Sequence, residues 1–435
     1  MERAASFRDG PVRVGLLGCG NVGAALAQLL LRDAASIESR TGIRLELARV
    51  AVRSLARERP VQLPPGMLTT DTQAVVNDPA IDVVVEVIGG IEPARGLILA
   101  ALKSGKPVVT GNKELLANVG QELFEAASAG GVDLLFEAAV AGGIPLIRPL
   151  RESLAGEGIR RIMGIVNGTT NFVLTKMAEA GASYHDALAE AQRLGYAERD
   201  PTADVEGFDA AAKAAILASV AFGVRVVAGD VYREGISAVT VDDIAFAGRL
   251  GYVIKLLAII EKIDEAVAVR VHPAMVPVTH PLAAVRESFN AVFIEGESVG
   301  ELMFLGRGAG GMPTASAVLG DLLDAAHNLT AGGAGRTVTM RPASIFPVDE
   351  LRSEYYLSID VADRPGVLHA VSGVLGAHDV SIRLMEQVGL GAEARLVIIL
   401  HPALERDVQA CLRDLRQLDV VDRTGGLLRV IASSL

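Results

Sequence analysis

The stretch Ala197–Lys213, AERDPTADVEGFDAAAK, places five acids (Glu198, Asp200, Asp204, Glu206 and Asp209) around one proline, then three alanines and a single lysine. Crowded carboxylates beside an amine among small side chains suit a polar site that handles protons. Asp209 and Lys213 stand four residues apart, one helical turn on the same face, so the acid can orient the amine. Spacing alone leaves two readings open: a solvated ion pair on a surface helix, or a polar site with an amine at its edge. Asp204 offers a further polar contact in the same stretch. A second amine, Lys113, ends the run KPVVTGNK. That is the carboxyl end of an expected strand, where open α/β sheets bind ligands. A lysine opening a surface helix is the alternative there.

Gly18, Gly20 and Gly23 spell G-x-G-x-x-G between the apolar runs VRVGLLG and AALAQLLL, with Asn21 and Val22 inside the turn. In such a strand–turn–helix the first glycine makes the tight turn and the second lets backbone approach a pyrophosphate. The third packs the helix against the strand, and the helix N-terminus faces the phosphates. A dinucleotide is therefore expected. The second strand, LELARVAV, ends without the acid that would meet a ribose 2′-hydroxyl; Arg53, Arg57 and Arg59 follow instead. An arginine there suits a 2′-phosphate, which favours NADP over NAD, with a solvated strand-end charge as the alternative for Arg53.

These groups need a scaffold, and the pattern supplies one. IDVVVEVIGG, KPVVTGNK and GVDLLFEAAV continue the strand series with helical stretches between them, which predicts a parallel sheet covered on both faces. Beyond residue 140 IRRIMGIVNG reads as a strand, SYHDALAEAQRLG as a helix capped at Ser183 and Asp186, and VEGFDAAAKAAILASVAFG as a long helix. VAVRV, AVFIEG and VGELMFLG predict a mixed or antiparallel sheet, and GRGAGG leads into a helix near Pro313. Residues 331–349 read as a linker. The last eighty or so residues restart as β-α-β-β-α-β, a compact two-layer module.

The net charge of −11 argues against nucleic acid or an anionic membrane as partner. Cys19 and Cys411, near opposite ends of the chain, make neither a disulfide framework nor a metal knuckle and fit a reducing cytoplasm. MERAASFRDG lacks the apolar core of a secretory signal, and no run of eighteen uncharged apolar residues predicts a membrane span.

Taken together, the motifs resemble homoserine dehydrogenase of the kind that carries a C-terminal ACT domain. The resemblance rests on GCGNVG (18–23), EVIGG (86–90), TGNKELLA (110–117), EAAVAGGIPLI (137–147), NGTTNF (167–172), GYAERDPTADVEGFDAAAK (195–213) and GRGAGGMPTASAV (306–318). They stand in family order over most of the first 330 residues, and DRPGVL (363–368) resembles the start of an ACT domain. The implied fold is α/β: a Rossmann-type nucleotide-binding domain, an α+β substrate and dimerisation domain, and a C-terminal ferredoxin-like ACT domain. The implied bounds are 1–140 (completed by about 306–335), 141–305 and 350–435.

The implied reaction is reversible hydride transfer between L-homoserine and L-aspartate 4-semialdehyde in threonine and methionine biosynthesis. A lysine can serve as its acid and base when burial or a neighbouring cation lowers its pKa. The resemblance makes Lys213 the proton donor or acceptor, oriented by Asp209, and Glu198 the acceptor of the substrate ammonium. Gly195 becomes a backbone contact to substrate. Lys113 is placed near nicotinamide and substrate, and Gly310 at the cofactor. Glu137, Val140, Gly142 and Ile144 match a monovalent-cation site whose oxygen ligands suit Na⁺. Asp363, Pro365 and Gly366 form the turn opening a helix of the ACT segment, where threonine is the expected effector. HDVSI (378–382) departs from the family's asparagine in that region and leaves the effector open. A cytoplasmic homodimer or homotetramer is implied. With about ten residues before the first strand, no aspartokinase-like segment is expected. The rivals are another amino-acid or aldehyde dehydrogenase on this scaffold, and a non-catalytic sensor of nucleotide and amino acid.

Overall fold

The computed structural model describes residues 10–335, 340–389 and 393–431. Two compact units emerge: one from residues up to Arg160, Ala212–Val231 and Asn290–Ala343, the other from Arg161–Ala211, Tyr232–Phe289 and Ser344 onward. They interleave along the chain instead of following one another. Residues 336–339 of the expected linker lie outside the described residues.

The chain begins with β1 (Val12–Leu17), β2 (Leu45–Ala51), β3 (Leu68–Thr69), β4 (Val83–Glu86), β5 (Val108–Thr110) and β6 (Leu134–Leu135). They form the parallel sheet of the first unit in the order β3-β2-β1-β4-β5-β6. All of β4 and nearly all of β1 is buried, which is why they read as unbroken apolar runs and not as alternating ones. The helix Asn21–Arg32 turns Leu26, Ala27 and Leu30 into this core, and the helix Gly311–Thr330 adds Ala315, Val318, Leu322, Ala325 and Ala326 to the same cluster. The late segment after residue 306 thus completes the core of the first sheet. One expected strand is shortened: GVDLLFEAAV yields only two paired residues before a 3-10 turn at Glu137–Ala139.

Next come β7 (Ile159–Ile165), β8 (Val224–Arg225), β9 (Tyr232–Arg233), β10 (Tyr252–Ile263) and β11 (Ala266–Pro277). After these follow β12 (Phe289–Gly296), β13 (Gly300–Arg307) and β14 (Arg341–Pro342). The last set is β15 (Arg352–Ala362), β16 (Ile382–Gly389), β17 (Glu393–Leu404) and β18 (Val421–Val430). In the second unit the strand order is β7-β10-β11-β18-β15-β17-β16, with β9 also paired to β11. Strand β10 is absent from the elements expected above, because its run YVIKLLAII, apolar apart from Lys255, shows no two-residue alternation and is equally compatible with a buried helix. The helix Gly168–Ala180 is likewise unannounced. It starts at Asn167, whose side-chain oxygen accepts from the Thr170 N–H at 2.9 Å.

The C-terminal β15-helix-β16-β17-helix-β18 segment is the expected ferredoxin-like module, with antiparallel order β18-β15-β17-β16. Its helices are Val367–Ala377 and Glu405–Leu415. The module is not a detached restart. Strand β18 also pairs with β11 in parallel, Ala274 opposite Arg429 and Met275 opposite Val430, and Ile431 donates to the Met275 carbonyl at 2.9 Å.

On β10, Lys255 is only 4% exposed, and its Nζ donates to Asn171 Oδ1 at 2.9 Å and to the Val285 carbonyl at 2.5 Å. Burial, opposed in part by Glu179, pushes this amine down to about 8. Between that value and the ordinary lysine range the unfolded chain holds a proton that the folded chain lacks, so stability rises with pH there. Lys255→Met is expected to remove that rise, roughly 3 kcal/mol at most. Urea melts of both proteins from about pH 8 to about pH 10 check this; parallel pH profiles would refute it.

Candidate active site

The first glycine turn joins β1 to the helix Asn21–Arg32. Gly18 holds φ at 101°, and a Cβ there would meet the Val87 carbonyl oxygen at 2.8 Å. At Gly23 a Cβ would meet the Gly18 oxygen at 2.1 Å, so turn and helix touch through bare backbone. Gly20 has open space where its Cβ would be and caps the helix without a side chain. The positive end of the helix, at Asn21, Val22 and Gly23, is thereby left to an anion. The adjoining cleft of about 580 Å³ is lined by Gly18, Gly20, Val52, Arg53, Arg57 and Arg59. Arg53 and Arg57 are exposed at its rim, whereas Arg59 donates to the Ser54 and Arg57 carbonyls at 2.5 and 2.7 Å and so holds its own loop. The second glycine turn arrives at the first. Gly310, with φ of 123°, caps the helix Gly311–Thr330, and a Cβ on Gly311 would lie 3.0 Å from the Asn21 oxygen.

Two residues that sequence reasoning left without a role organise the carboxyl ends of β4 and β5. Glu86 is fully buried, and its Oε1 accepts from the N–H groups of Ile88 at 2.7 Å and Gly89 at 3.1 Å. Its Oε2 accepts from the Thr110 hydroxyl at 2.6 Å. Asn112 donates to the Gly90 carbonyl at 2.7 Å and caps the next helix by accepting from Leu115 at 3.1 Å. The motifs EVIGG and TGNK are thus tied together, and Lys113 becomes the first residue of the helix Lys113–Gly130. A charged residue inside an otherwise buried strand was the available signal.

Glu137 lies at the 3-10 turn, 4% exposed, and accepts from the N–H groups of Leu146 at 2.5 Å, Ile147 at 2.8 Å and Arg148 at 2.8 Å. Its own N–H donates to Asp321 at 2.7 Å. Burial and the neighbouring Glu137 push Asp321 up to about 7. No local sequence signal could have joined positions so far apart. Val140, Gly142 and Ile144 occupy the tight turn that follows. Ala141 and Gly142 both have positive φ there, and a Cβ on Gly142 would strike the Gly308 oxygen at 2.3 Å.

In the second unit the acids separate into two kinds. Asp204 and Asp209 converge: Asn167 Nδ2 donates to Asp204 Oδ1 at 2.7 Å and to Asp209 Oδ2 at 2.8 Å. Thr169 adds a bond to Asp204 at 3.2 Å and holds the Tyr196 carbonyl at 2.6 Å. NGTTNF therefore contributes a residue, Asn167, that the sequence flagged only as motif. Glu198 and Gly195 are exposed in the loop after the helix Tyr184–Arg193, where Gln192 donates to the Glu198 carbonyl at 3.0 Å. Thr169 links this loop to the pair, bonding both the Tyr196 carbonyl beside Gly195 and the Asp204 carboxylate. Asp209 and Lys213 share one face of the helix Phe208–Phe222 and are each 8% exposed. A solvated surface pair is thereby excluded.

A glycine cradle for a dinucleotide and a buried acid–amine helix narrow the chemistry without fixing the substrate. Models of known families do more: residues 145–323 match homoserine dehydrogenase, residues 18–137 its NAD-binding domain, and residues 355–420 the ACT domain. Homoserine dehydrogenase of Corynebacterium glutamicum is 48% identical over 438 residues, covering 98% of each chain.

The chain belongs to the homoserine dehydrogenase family.

That of Mycobacterium tuberculosis is also 48% identical, over 98% of this chain and 99% of its own. The crystal structure of homoserine dehydrogenase from Thiobacillus denitrificans superposes with a TM-score of 0.91 at 42% identity, covering 97% of this chain and 98% of the other. A hyperthermophilic archaeal homoserine dehydrogenase in complex with NADPH matches at a TM-score of 0.61 and 30% identity, over 73% of this chain and 98% of its own. As a homoserine dehydrogenase the chain is an NAD(P)-dependent oxidoreductase with an ACT regulatory module. No helix among the described residues is long and apolar enough to cross a membrane.

Proposed function

We propose that the chain oxidises L-homoserine to L-aspartate 4-semialdehyde and catalyses the reverse reduction, with Lys213 as its acid and base. The burial of Lys213 one turn from Asp209 carries this reading. In oxidation the alcohol carbon gives up a hydride with its electron pair, and the hydroxyl proton goes to the Lys213 amine. In reduction the Lys213 ammonium returns a proton to the forming alkoxide. A bound nicotinamide dinucleotide supplies the hydride acceptor or donor. Asp209, held by Asn167, orients Lys213, and Asp204 lines the same polar wall. Glu198, on its exposed loop, takes the substrate α-ammonium beside the Gly195 backbone. Lys113 stands by substrate and nicotinamide at the end of β5.

NADP(H) is the preferred cofactor in this reading. Arg53 and Arg57 at the cleft rim, with no acid at the end of β2, support it, as does the archaeal relative in complex with NADPH. Arg53→Ala is expected to lower the ratio of NADPH to NADH turnover by about tenfold, ~1.4 kcal/mol of discrimination. An unchanged ratio in steady-state assays would return Arg53 to the solvated-charge reading.

Glu137 with the carbonyls of Val140, Gly142 and Ile144 fits a hard monovalent cation. Three N–H donors occupy the carboxylate, and Oε2, with one of them, retains acceptor capacity. Such a cation would add positive charge to a turn already rich in oxygen. Self-association into a dimer or tetramer belongs to the same reading, supported by Val299 and Leu305 left exposed around β13. An amino-acid effector, with threonine the first to try, would act at the ACT turn Asp363–Gly366. The deciding assay is hydride transfer from NADPH and NADH to aspartate 4-semialdehyde. Turnover confined to another aldehyde would select the rival dehydrogenase, and binding without turnover the sensor.

A further inference from the structure

Glu234 connects two parts of the second unit. On one side Arg429, only 3% exposed, grips it through two parallel bonds, Nη1 to Oε2 at 2.9 Å and Nη2 to Oε1 at 2.8 Å. The same guanidinium donates through Nε and Nη2 to Glu405 at 2.9 and 2.6 Å, and Glu405 also accepts from the Tyr355 hydroxyl at 2.9 Å. Arg429, Glu405 and Tyr355 all belong to the C-terminal module. Glu234 follows β9 in the dehydrogenase part of the chain, and the Tyr232 hydroxyl also donates to it.

On its other side the Glu234 segment is pressed against the turn that carries the acids. Ile236 donates to the Val205 carbonyl at 2.8 Å. A Cβ on Gly235 would come within 2.4 Å of the Val205 oxygen and 2.7 Å of the Glu206 Cα, so the backbones already touch. Residues Val205–Gly207 join the helix Thr202–Val205 to the helix Phe208–Phe222, placing Asp204 just before the contact and Asp209 just after it. Both of those carboxylates close on Asn167. With no slack at Gly235, a displacement of Glu234 becomes a displacement of the two acids.

We propose that Arg429 is a positioning residue for the substrate site: it fixes Glu234 and, through Gly235, the turn that spaces Asp204 and Asp209. This rests on the homoserine reading above. The C-terminal module then completes the substrate wall, and a ligand that tilts β18 acts on substrate affinity first.

The test compares Glu234→Gln, Arg429→Lys and Arg429→Met with Glu405→Gln, which loosens the same guanidinium only toward the module. Steady-state kinetics with homoserine and NADP⁺ are measured beside thermal midpoints. Glu234→Gln and Arg429→Met are expected to raise the homoserine KM on the order of tenfold with the NADP⁺ KM unchanged. Arg429→Lys should recover part of that loss, and Glu405→Gln should leave both KM values alone while lowering the midpoint. If Glu234→Gln and Glu405→Gln lower the midpoint alike and neither moves the homoserine KM, the cluster is structural and the inference is overturned. Failure of both Glu234→Gln and Arg429→Lys to fold would overturn it as well. A wild type silent with homoserine is a different result, since it removes the functional reading itself.

Discussion

Lys213→Ala is expected to lower kcat for homoserine oxidation by about a thousandfold, within the range that a positioned general acid or base contributes. The dinucleotide Kd should stay within about twofold, because the glycine cradle and the arginines of the cleft are untouched. The large effect follows from burial. At 8% exposure Lys213 is screened from bulk water, so solvent is a poor substitute for the missing amine. Truncation also leaves a void in a packed helix, so Lys213→Met, which keeps the aliphatic stem, separates lost chemistry from lost packing. Equal defects in the two variants mark the amine as the essential part. If both retain near-normal rates, the proton passes through another group, and Lys113 is the next to replace. Stopped-flow hydride transfer distinguishes these outcomes, since it reads the chemical step apart from product release.

Gly23→Ala is expected to weaken dinucleotide binding on the order of a hundredfold, close to 3 kcal/mol. The added methyl would lie 2.1 Å from the Gly18 carbonyl oxygen, a backbone atom that no rotamer can clear. Relief requires moving the helix Asn21–Arg32 away from the turn, which withdraws the N–H groups that face the phosphates. Gly20→Ala is the matched control. A Cβ there meets nothing within 4 Å in the protein, so its harm comes only from crowding the ligand. Melting curves without cofactor should therefore show Gly23→Ala destabilised and Gly20→Ala near wild type, with both weakened in fluorescence titration with NADPH. A Gly23→Ala protein of native stability and native affinity would refute the packing role assigned to that glycine.

What could be read in advance depended on how local each signal was. GCGNVG sits between a strand and a helix, so turn, cradle and ligand class follow from the twenty consecutive residues Val12–Leu31. The C-terminal module was legible for the same reason, since its strands alternate with two amphipathic helices in one continuous segment. By contrast, the pairing of Asn167 with Asp204 and Asp209 spans 37 and 42 residues, and no periodicity reports it. Asp321 beneath Glu137 is 184 residues distant in sequence. Strand β10 was hidden because its run, apolar on both faces apart from Lys255, carries no two-residue period. Spacing also could not decide whether Asp209 and Lys213 were solvated. An acid four residues before a lysine looks the same on a surface helix and on a buried one, and burial settled it.

The seam between β11 and β18 bears on how this protein can be shortened. Effector control is commonly removed by cutting a chain ahead of its regulatory module, here before residue 350. In this molecule the cut would strip β11 of its neighbour at Ala274 and Met275, exposing main-chain donors and acceptors along an apolar strand. An unpaired edge of that kind can recruit other chains, so the truncated enzyme is expected to aggregate more readily than the full chain, which light scattering checks. The proposed effector turn is better tested by point substitutions at Asp363–Gly366, which leave the seam closed.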